Sequence, residues 1–243
     1  MHTDPVVYIR DGIFFSTTSP EIRNPLEKIP ANKLKGEVRH LRILALGDSY
    51  TVGESLPVQD SYPFQLVRLL REKGHPAEDP CIIAATGWTT CDLQNALAKF
   101  RMEGDPFDWV NLLIGVNNQY QGRALAEYSS ECTELLHQAI GLAGGQPEKV
   151  CVLSIPDYAC TLFGRETGKA SEISMAIHQY NEITSRIARS LGTHYLNITP
   201  ESWKAGENPG LLAADGLHYS ASAYKEWAYL LLELMLSPPT GRG

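Results

Sequence analysis

Four short segments of the sequence carry groups that could together act on a carbonyl carbon. Ser49 offers a hydroxyl nucleophile, Gly87 a backbone amide and Asn117 a carboxamide, while Asp215 and His218 form an acid–imidazole pair. A serine hydroxyl attacks poorly unless a base takes its proton. Imidazole titrates near neutral pH and is the usual base for this task. The residue types therefore indicate nucleophilic catalysis at a serine.

The acid of such a constellation has two candidates in the sequence. The spacing of Asp215 and His218 lets both side chains converge on one serine from a single loop or helix turn. Asp215 would then hold the imidazole in the correct tautomer and stabilise the imidazolium. Asp48 precedes Ser49 directly, but adjacent side chains in an extended segment diverge. We therefore expect Asp48 to bond to nearby backbone or loop groups and favour Asp215 as the acid.

Short apolar runs alternate with amphipathic stretches, and these elements must position the chemistry. The alternation predicts a parallel sheet covered on both faces, and right-handed crossovers then make a three-layer αβα sandwich. In such sheets the ligand lies beyond the carboxyl ends of the strands, which is where Ser49, Gly87 and Asn117 fall. The predicted strands cover residues 41–46, 81–85, 109–114, 150–155 and 194–198, and the predicted helices 61–73, 90–100, 124–143, 171–190 and 221–236.

Length and composition predict one principal domain. The chain has 243 residues, of which 43% are apolar and 20% charged, and domains average about 150 residues. The regular pattern assigns residues 39–237 to the main domain and 238–243 to a C-terminal tail. Residues 1–38 contain four prolines and short apolar pieces. We expect them to form an extension packed on the main domain, covering a sheet edge or a pocket rim.

Several classes of function are disfavoured by what the sequence lacks. The net charge of −7 gives no basic footprint for nucleic acid, and no stretch approaches the roughly 20 apolar residues of a membrane span. No signal peptide is visible, so a cytoplasmic location is expected, with a secreted mature form left open. Five cysteines at wide spacing do not suggest a disulfide framework. With no metal-ligand or dinucleotide motif, we expect no metal and no cofactor; the oligomeric state is not indicated.

The four segments resemble, in order, the conserved blocks of the GDSL family, also called SGNH hydrolases. The first block is present as Gly-Asp-Ser-Tyr at residues 47–50, with Tyr50 where the family name has leucine. The second-block glycine matches Gly87. The third block is Gly-Val-Asn-Asn at residues 115–118, with Asn118 in place of an aspartate, and the fourth is Asp-Gly-Leu-His at 215–218. Each match is weak alone, but four in the required order between residues 41 and 236 form a strong signal.

The resemblance implies a fold, an activity and a set of roles. The implied fold is the SGNH α/β fold, with a five-stranded, mostly parallel, flavodoxin-like sheet. The implied activity is that of a cofactor-independent serine esterase, in which Ser49, Asp215 and His218 form a catalytic triad. The oxyanion hole would use the amides of Ser49 and Gly87 and the Asn117 side chain. The departures at Tyr50 and Asn118 lie outside the catalytic positions and bear on subgroup and pocket.

Each of these residues also has a plain structural interpretation. Ser49 and Asp215 could cap helices, Gly87 and Asn117 could serve only in turns, and His218 could be a surface histidine. Aromatic and polar side chains near the strand ends are candidates for a substrate pocket and equally for packing. They are Tyr50, Trp88, Gln119, Tyr120, Tyr158 and Phe163.

The sequence favours small substrates without fixing one. A small-molecule ester, with a short acyl group or linked to a carbohydrate, is the favoured substrate. A lysophospholipase or thioesterase acting on longer acyl chains is the alternative within the same chemistry, and transfer of the acyl group to an alcohol is also open. An idle ligand-binding module on the same fold is the alternative from another class.

Overall fold

The computed structural model describes residues 8–10, 13–15 and 39–237. At the N-terminus, β1 (Tyr8–Arg10) and β2 (Ile13–Phe15) pair in antiparallel fashion. The rest of the 1–38 extension and the 238–243 tail lie outside the described residues. The packing of that extension, its covering role and the absence of a signal peptide therefore stay predictions.

Five parallel strands form the central sheet, in the order β4–β3–β5–β6–β7. The sheet was expected to be mostly parallel, and every strand pair within it is parallel. Its central strands are apolar and buried because helices cover both faces. The strands are β3 (Ile43–Gly47), β4 (Cys81–Ala84), β5 (Trp109–Leu113), β6 (Val150–Leu153) and β7 (His194–Leu196).

Nine α-helices surround this sheet in the described part of the chain. The five long ones lie where the apolar periodicity predicts them, whereas the four short ones, α1, α4, α6 and α8, leave no such signal. The helices are α1 (Ser49–Val52), α2 (Tyr62–Glu72), α3 (Thr90–Lys99), α4 (Val116–Tyr120), α5 (Leu125–Leu142), α6 (Leu162–Glu166), α7 (Ala170–Leu191), α8 (Thr199–Trp203) and α9 (Ala221–Leu236).

The core consists of two main layers on opposite faces of the sheet. Successive side chains of a strand point to opposite faces, so Ile43 of β3 joins one cluster and Leu44 joins the other. The first cluster includes apolar residues of α2 and α9, which pack against each other. The second includes the apolar faces of α3 and part of α5. The arrangement is the three-layer αβα sandwich that the sequence predicts.

Strands β6 and β7 end earlier than the apolar runs predict. Side chains take over the hydrogen bonding of the backbone at this point. The Ser154 hydroxyl accepts from the Ile198 amide at 2.8 Å, and the Asn181 carboxamide accepts from the Ile155 amide at 2.7 Å. The ladder therefore stops although the sequence remains apolar at Ile155 and Ile198.

The cysteines differ in their burial. Cys132 and Cys151 are buried, whereas Cys81, Cys91 and Cys160 are partly exposed. Within residues 39–237, no helix is both long and apolar enough to cross a bilayer.

Gly47 offers a test of how closely β3 and β5 approach at the edge that carries the site. A Cβ at this residue would lie 2.1 Å from Thr51 Oγ1 and 2.3 Å from the Leu113 carbonyl oxygen. We expect Gly47→Ala to lower the free energy of unfolding by about 1–3 kcal/mol, because neighbouring backbone must shift. Urea denaturation measures this loss.

Gly141, on an open face of α5, provides the matched control. A Cβ there meets no atom within 4 Å. Gly141→Ala should raise the free energy of unfolding by about 0.4–1 kcal/mol, since alanine restricts the unfolded chain. Equal effects of the two substitutions would contradict the close approach at Gly47.

Candidate active site

Ser49 occupies a sharp strand-to-helix turn at the carboxyl end of β3. Asp48 caps α1, and its carboxylate accepts a hydrogen bond from the Tyr50 amide at 3.1 Å. Gly53 ends the helix in a left-handed conformation with φ of 74°, which glycine adopts without steric cost. These two caps fix the single helical turn that carries Ser49.

Asp215 and His218 form a hydrogen-bonded pair, as their spacing predicts. His218 Nδ1–H donates to Asp215 Oδ2 at 2.7 Å. The other carboxylate oxygen, Oδ1, accepts from the amides of Leu217 and His218, both at 2.9 Å. Because Nδ1 carries the proton that faces the carboxylate, Nε2 of the neutral ring keeps its lone pair for another partner.

The hydrogen bonds to Asp215 keep its carboxylate ionised. Burial by itself raises the pKa of Asp215. The opposing hydrogen bonds, from the Ser55 hydroxyl, the His218 ring and two backbone amides, outweigh burial and hold the pKa well below its usual range. The ionised Asp215 thus places a negative charge beside Nδ1 of the imidazole, on the side opposite Nε2.

Tyr50 connects the Ser49 turn with the His218 ring. Its ring meets the His218 ring edge-on, with centroids 5.5 Å apart, and also contacts Tyr219 and Trp227. Among the described residues, Ser49 and His218 form no direct hydrogen bond; such bonds are often loose before substrate binds. Tyr50 is 2% exposed, and aromatic neighbours of the core enclose its ring. This burial favours the packing interpretation that the sequence left open, and a place in the substrate pocket stays a prediction.

Gly87 and Asn117 come together at the carboxyl ends of β4 and β5. The Asn117 carboxamide donates to the Trp88 carbonyl at 2.9 Å. Gly87 has φ of 82°, and a Cβ there would meet no atom within 4 Å. Glycine is therefore required here by the left-handed backbone rather than by crowding. Within the described part of the chain, the amides of Ser49 and Gly87 donate no hydrogen bond to other residues.

The asparagine at position 118 has a structural explanation. Asn118 is fully buried; its oxygen accepts from the Thr90 amide at 3.0 Å and its nitrogen donates to the Thr90 hydroxyl at 2.6 Å. The Thr90 hydroxyl in turn donates to the Glu131 carboxylate. Since that hydroxyl proton is already used, its partner must be a donor, and an ionised aspartate has none. Asn118 thereby holds the start of α3, directly after the Gly87 loop.

Three residues that belong to no sequence motif also connect the segments of the site. The Thr86 hydroxyl donates to the Glu54 carboxylate, which links the Gly87 loop to the segment after α1. The Ser55 hydroxyl donates to Asp215 Oδ2 at 2.6 Å. No motif distinguishes these residues, and only their closeness in sequence to Ser49 and Gly87 could have drawn attention to them.

Tyr120, Tyr158 and Phe163 form an aromatic cluster beside the Asp215–His218 loop. Their ring centroids lie 6.3–6.4 Å apart. Tyr158 is buried, whereas the Tyr120 side chain is 62% exposed. The Phe163 amide donates to the Gly216 carbonyl at 3.2 Å, which attaches the cluster to the loop.

The remaining two pocket candidates lie on neighbouring loops. Trp88 and Gln119 are both partly exposed. Trp88 follows Gly87, and its carbonyl accepts the Asn117 hydrogen bond. Gln119 lies in α4 between Asn117 and Tyr120.

Asp48 is the second carboxylate near Ser49, and it occupies a different environment. It is 1% exposed, and its Oδ2 has no hydrogen-bond partner among the described residues. Burial raises the pKa of Asp48 to about 7, against the opposing hydrogen bonds from backbone amides. Its bond to the Tyr50 amide agrees with the local backbone role that we expected.

Comparison with known proteins gives one family and one fold. The chain matches the GDSL-like Lipase/Acylhydrolase family over residues 45–226. No curated protein matches the sequence.

Solved structures from three bacteria resemble this fold. A G-D-S-L lipolytic protein from Veillonella parvula has a TM-score of 0.60 at 18% identity, over 79% of this chain and 97% of its own. A lipase/acylhydrolase from Enterococcus faecalis has a TM-score of 0.61 at 20% identity, over 83% and 99%. The acetylxylan esterase Axe2 from Geobacillus stearothermophilus has a TM-score of 0.60 at 18% identity, over 84% and 97%.

The family match spans most of residues 39–237 and includes the candidate site residues Ser49, Gly87, Asn117, Asp215 and His218. The five-stranded parallel sheet agrees with the SGNH hydrolase fold of the similar structures. The chain therefore belongs to the GDSL-like lipase/acylhydrolase family and is a carboxylic ester hydrolase.

Proposed function

We propose that the protein cleaves esters through an acyl-enzyme on Ser49, with His218 as the base and Asp215 as the acid. The observation that carries this proposal is the Asp215–His218 hydrogen bond of 2.7 Å. It holds Nδ1 against the carboxylate and leaves Nε2 on the opposite side of the ring, where a general base would accept a proton. Ser49 lies on the turn whose next residue, Tyr50, contacts that imidazole ring.

The reaction proceeds in two halves. Ser49 Oγ attacks the ester carbonyl carbon while His218 Nε2 takes the hydroxyl proton. The tetrahedral intermediate then expels the alcohol, which receives this proton, and leaves the acyl group on Ser49. Water, deprotonated by the same imidazole, then attacks the acyl carbon; the bond to Ser49 Oγ breaks, this oxygen takes the proton back from the imidazolium, and the carboxylic acid leaves.

The negative oxygen of each tetrahedral intermediate needs hydrogen-bond donors. The proposed donors are the amides of Ser49 and Gly87 and the second N–H of the Asn117 carboxamide. The first N–H of that carboxamide is held by the Trp88 carbonyl, which keeps the side chain beside Gly87. Preorganised donors of this kind are each worth about 10²–10³ in rate.

The proposed substrate is an ester with a short acyl group or one linked to a carbohydrate. The cluster of Tyr120, Tyr158 and Phe163 lies against the loop that carries His218. We call this cluster the aromatic wall; Leu162, which precedes Phe163, lies beside Gly216 of the same loop. With Tyr120 62% and Leu162 50% exposed, the wall is open to solvent rather than closed around a long acyl chain. The fold likeness to an acetylxylan esterase adds support for a sugar-linked ester.

Substitution of Ser49 tests the acyl-enzyme. Ser49→Ala should reduce hydrolysis of p-nitrophenyl acetate by at least about 10³-fold, because the attacking oxygen is gone. A fluorophosphonate probe should label the wild-type chain at Ser49 and leave the variant unlabelled. Ser190→Ala, at an exposed serine of α7, is the control for serine loss.

Two outcomes would contradict this assignment. Full activity in a folded Ser49→Ala variant would exclude Ser49 as the nucleophile. Absence of both turnover and labelling in the wild type would favour an idle binding module. Thermal unfolding curves establish that each variant is folded.

Paired substitutions at the two carboxylates separate the acid from its neighbour. Asp215→Asn should reduce kcat by about 10²–10⁴-fold, because the amide no longer stabilises the imidazolium. Asp48→Asn should leave kcat within about threefold, since asparagine also caps a helix and accepts from the Tyr50 amide. Steady-state kinetics on the same ester measure both effects.

The stability of the Asp48 variant should also depend on pH in a defined direction. The folded pKa of Asp48 is about 7, against about 3.9 in unfolded chains. The folded state therefore holds an extra proton between these values, and wild-type stability should fall as pH rises from about 4 to 7. Asp48→Asn should lack this fall and be more stable at pH 8 by about 2–4 kcal/mol. If the stability of the wild type and of the variant changed equally with pH, this result would contradict the raised pKa of Asp48.

Removal of the exposed ring tests the substrate class. Tyr120→Ala should lower kcat/KM about tenfold for an acetylated xylo-oligosaccharide and less for p-nitrophenyl acetate, because only the larger substrate reaches the wall. An acyl-chain series on the wild type complements this test. Activity that rises steadily towards long chains would instead support the lysophospholipase or thioesterase alternative.

A further inference from the structure

Ser55 has an unusual backbone conformation for its residue type. Its φ is +67°, and it is the only residue other than glycine with positive φ in the described part of the chain. A side chain in this region is strained, and such residues persist where the surroundings hold them.

The segment that carries Ser55 is hydrogen-bonded to the backbone carbonyl of Ser49. The amides of Gly53 and Glu54 both donate to the Ser49 carbonyl, at 3.1 and 3.0 Å, and the Leu56 amide donates to the Gly53 carbonyl at 3.0 Å. Ser55 lies within this folded segment, so its position is set relative to Ser49.

The Ser55 side chain reaches the acid of the proposed triad. Its hydroxyl donates to Asp215 Oδ2 at 2.6 Å, the oxygen that also accepts from His218 Nδ1 at 2.7 Å. Together with the two amides on Oδ1, the carboxylate accepts four hydrogen bonds. Ser55 is the donor among these that comes from the nucleophile side, since the others belong to the 215–218 loop itself.

We propose that Ser55 is a positioning residue, which fixes the Asp215 carboxylate, and through it the His218 ring, relative to Ser49. This inference rests on the proposed triad. The nucleophile and the acid–base pair lie on segments that are far apart in sequence. The Ser55 hydroxyl joins them by a charge-assisted hydrogen bond, and such bonds are short and directional. The strained backbone is what aims the hydroxyl at the carboxylate.

Two substitutions remove the hydroxyl but differ in their effect on backbone strain. Ser55→Gly relieves the left-handed strain, whereas Ser55→Ala keeps it. If the hydroxyl positions the acid, both variants should lower kcat for p-nitrophenyl acetate about tenfold and change KM by less than about twofold. Ser55→Asn, which tolerates positive φ and offers an N–H donor, should recover part of kcat.

A spectroscopic measurement separates positioning from simple turn stability. The proton shared by His218 Nδ1 and Asp215 should give a low-field NMR resonance that is absent in His218→Gln. Loss of the Ser55 hydroxyl should shift or broaden this resonance in both variants, even where thermal stability is unchanged. The signal needs no turnover, so it reports on Ser55 independently of the ester activity.

Ser174 provides a control with the same chemistry elsewhere. Its hydroxyl donates to Asp157 Oδ2, also at 2.6 Å. Ser174→Ala should leave kcat and the low-field resonance unchanged.

The proposal is overturned if folded Ser55→Gly and Ser55→Ala variants keep wild-type kcat and an unchanged resonance. Failure of the proposed function looks different, because Ser49→Ala would then retain activity whatever happens at Ser55.

Discussion

The parallel register of β3 with its two neighbours is the constraint on which the site depends. Gly47 of β3 lies opposite Ala84 of β4 and Leu113 of β5, so the three chains leave the sheet at the same level. The loops that follow carry Ser49, Gly87 and Asn117. A shift of one residue in either pairing would turn the strand's side chains to the opposite face. The apolar burial of these strands therefore also sets the alignment of the polar groups beyond them.

The second requirement is that the Asp215 carboxylate remains ionised beside the aromatic core. Asp215 remains ionised because four donors satisfy its two oxygens. Asp48, next to Ser49, is buried; burial raises its pKa, and one of its oxygens has no partner among the described residues. Burial and hydrogen-bond supply together, rather than distance from Ser49, therefore distinguish the two carboxylates.

The main domain was largely predictable because its signals are local. Apolar runs and helical periodicity gave the five sheet strands and the five long helices, and block order gave Ser49, Asp215 and His218 as candidates. For Tyr50 the sequence left pocket and packing open, because an aromatic residue after Ser49 looks the same in sequence whether it faces a pocket or Trp227. Asn118 could be interpreted only when Thr90 and Glu131, remote in sequence, were seen beside it. Ser55 had no signal, since its backbone angle depends on tertiary contacts.

The two hydrogen bonds to the Ser49 carbonyl limit how this part of the chain can vary in length. It makes the stretch from Ser49 to Ser55 a spacer of fixed length, in which an inserted or deleted residue would change the distance between the Ser55 hydroxyl and Asp215. Variation in length among related enzymes should therefore collect after Leu56, outside the spacer. A loop library meant to alter specificity would accordingly leave this stretch intact and diversify the aromatic wall around Tyr120.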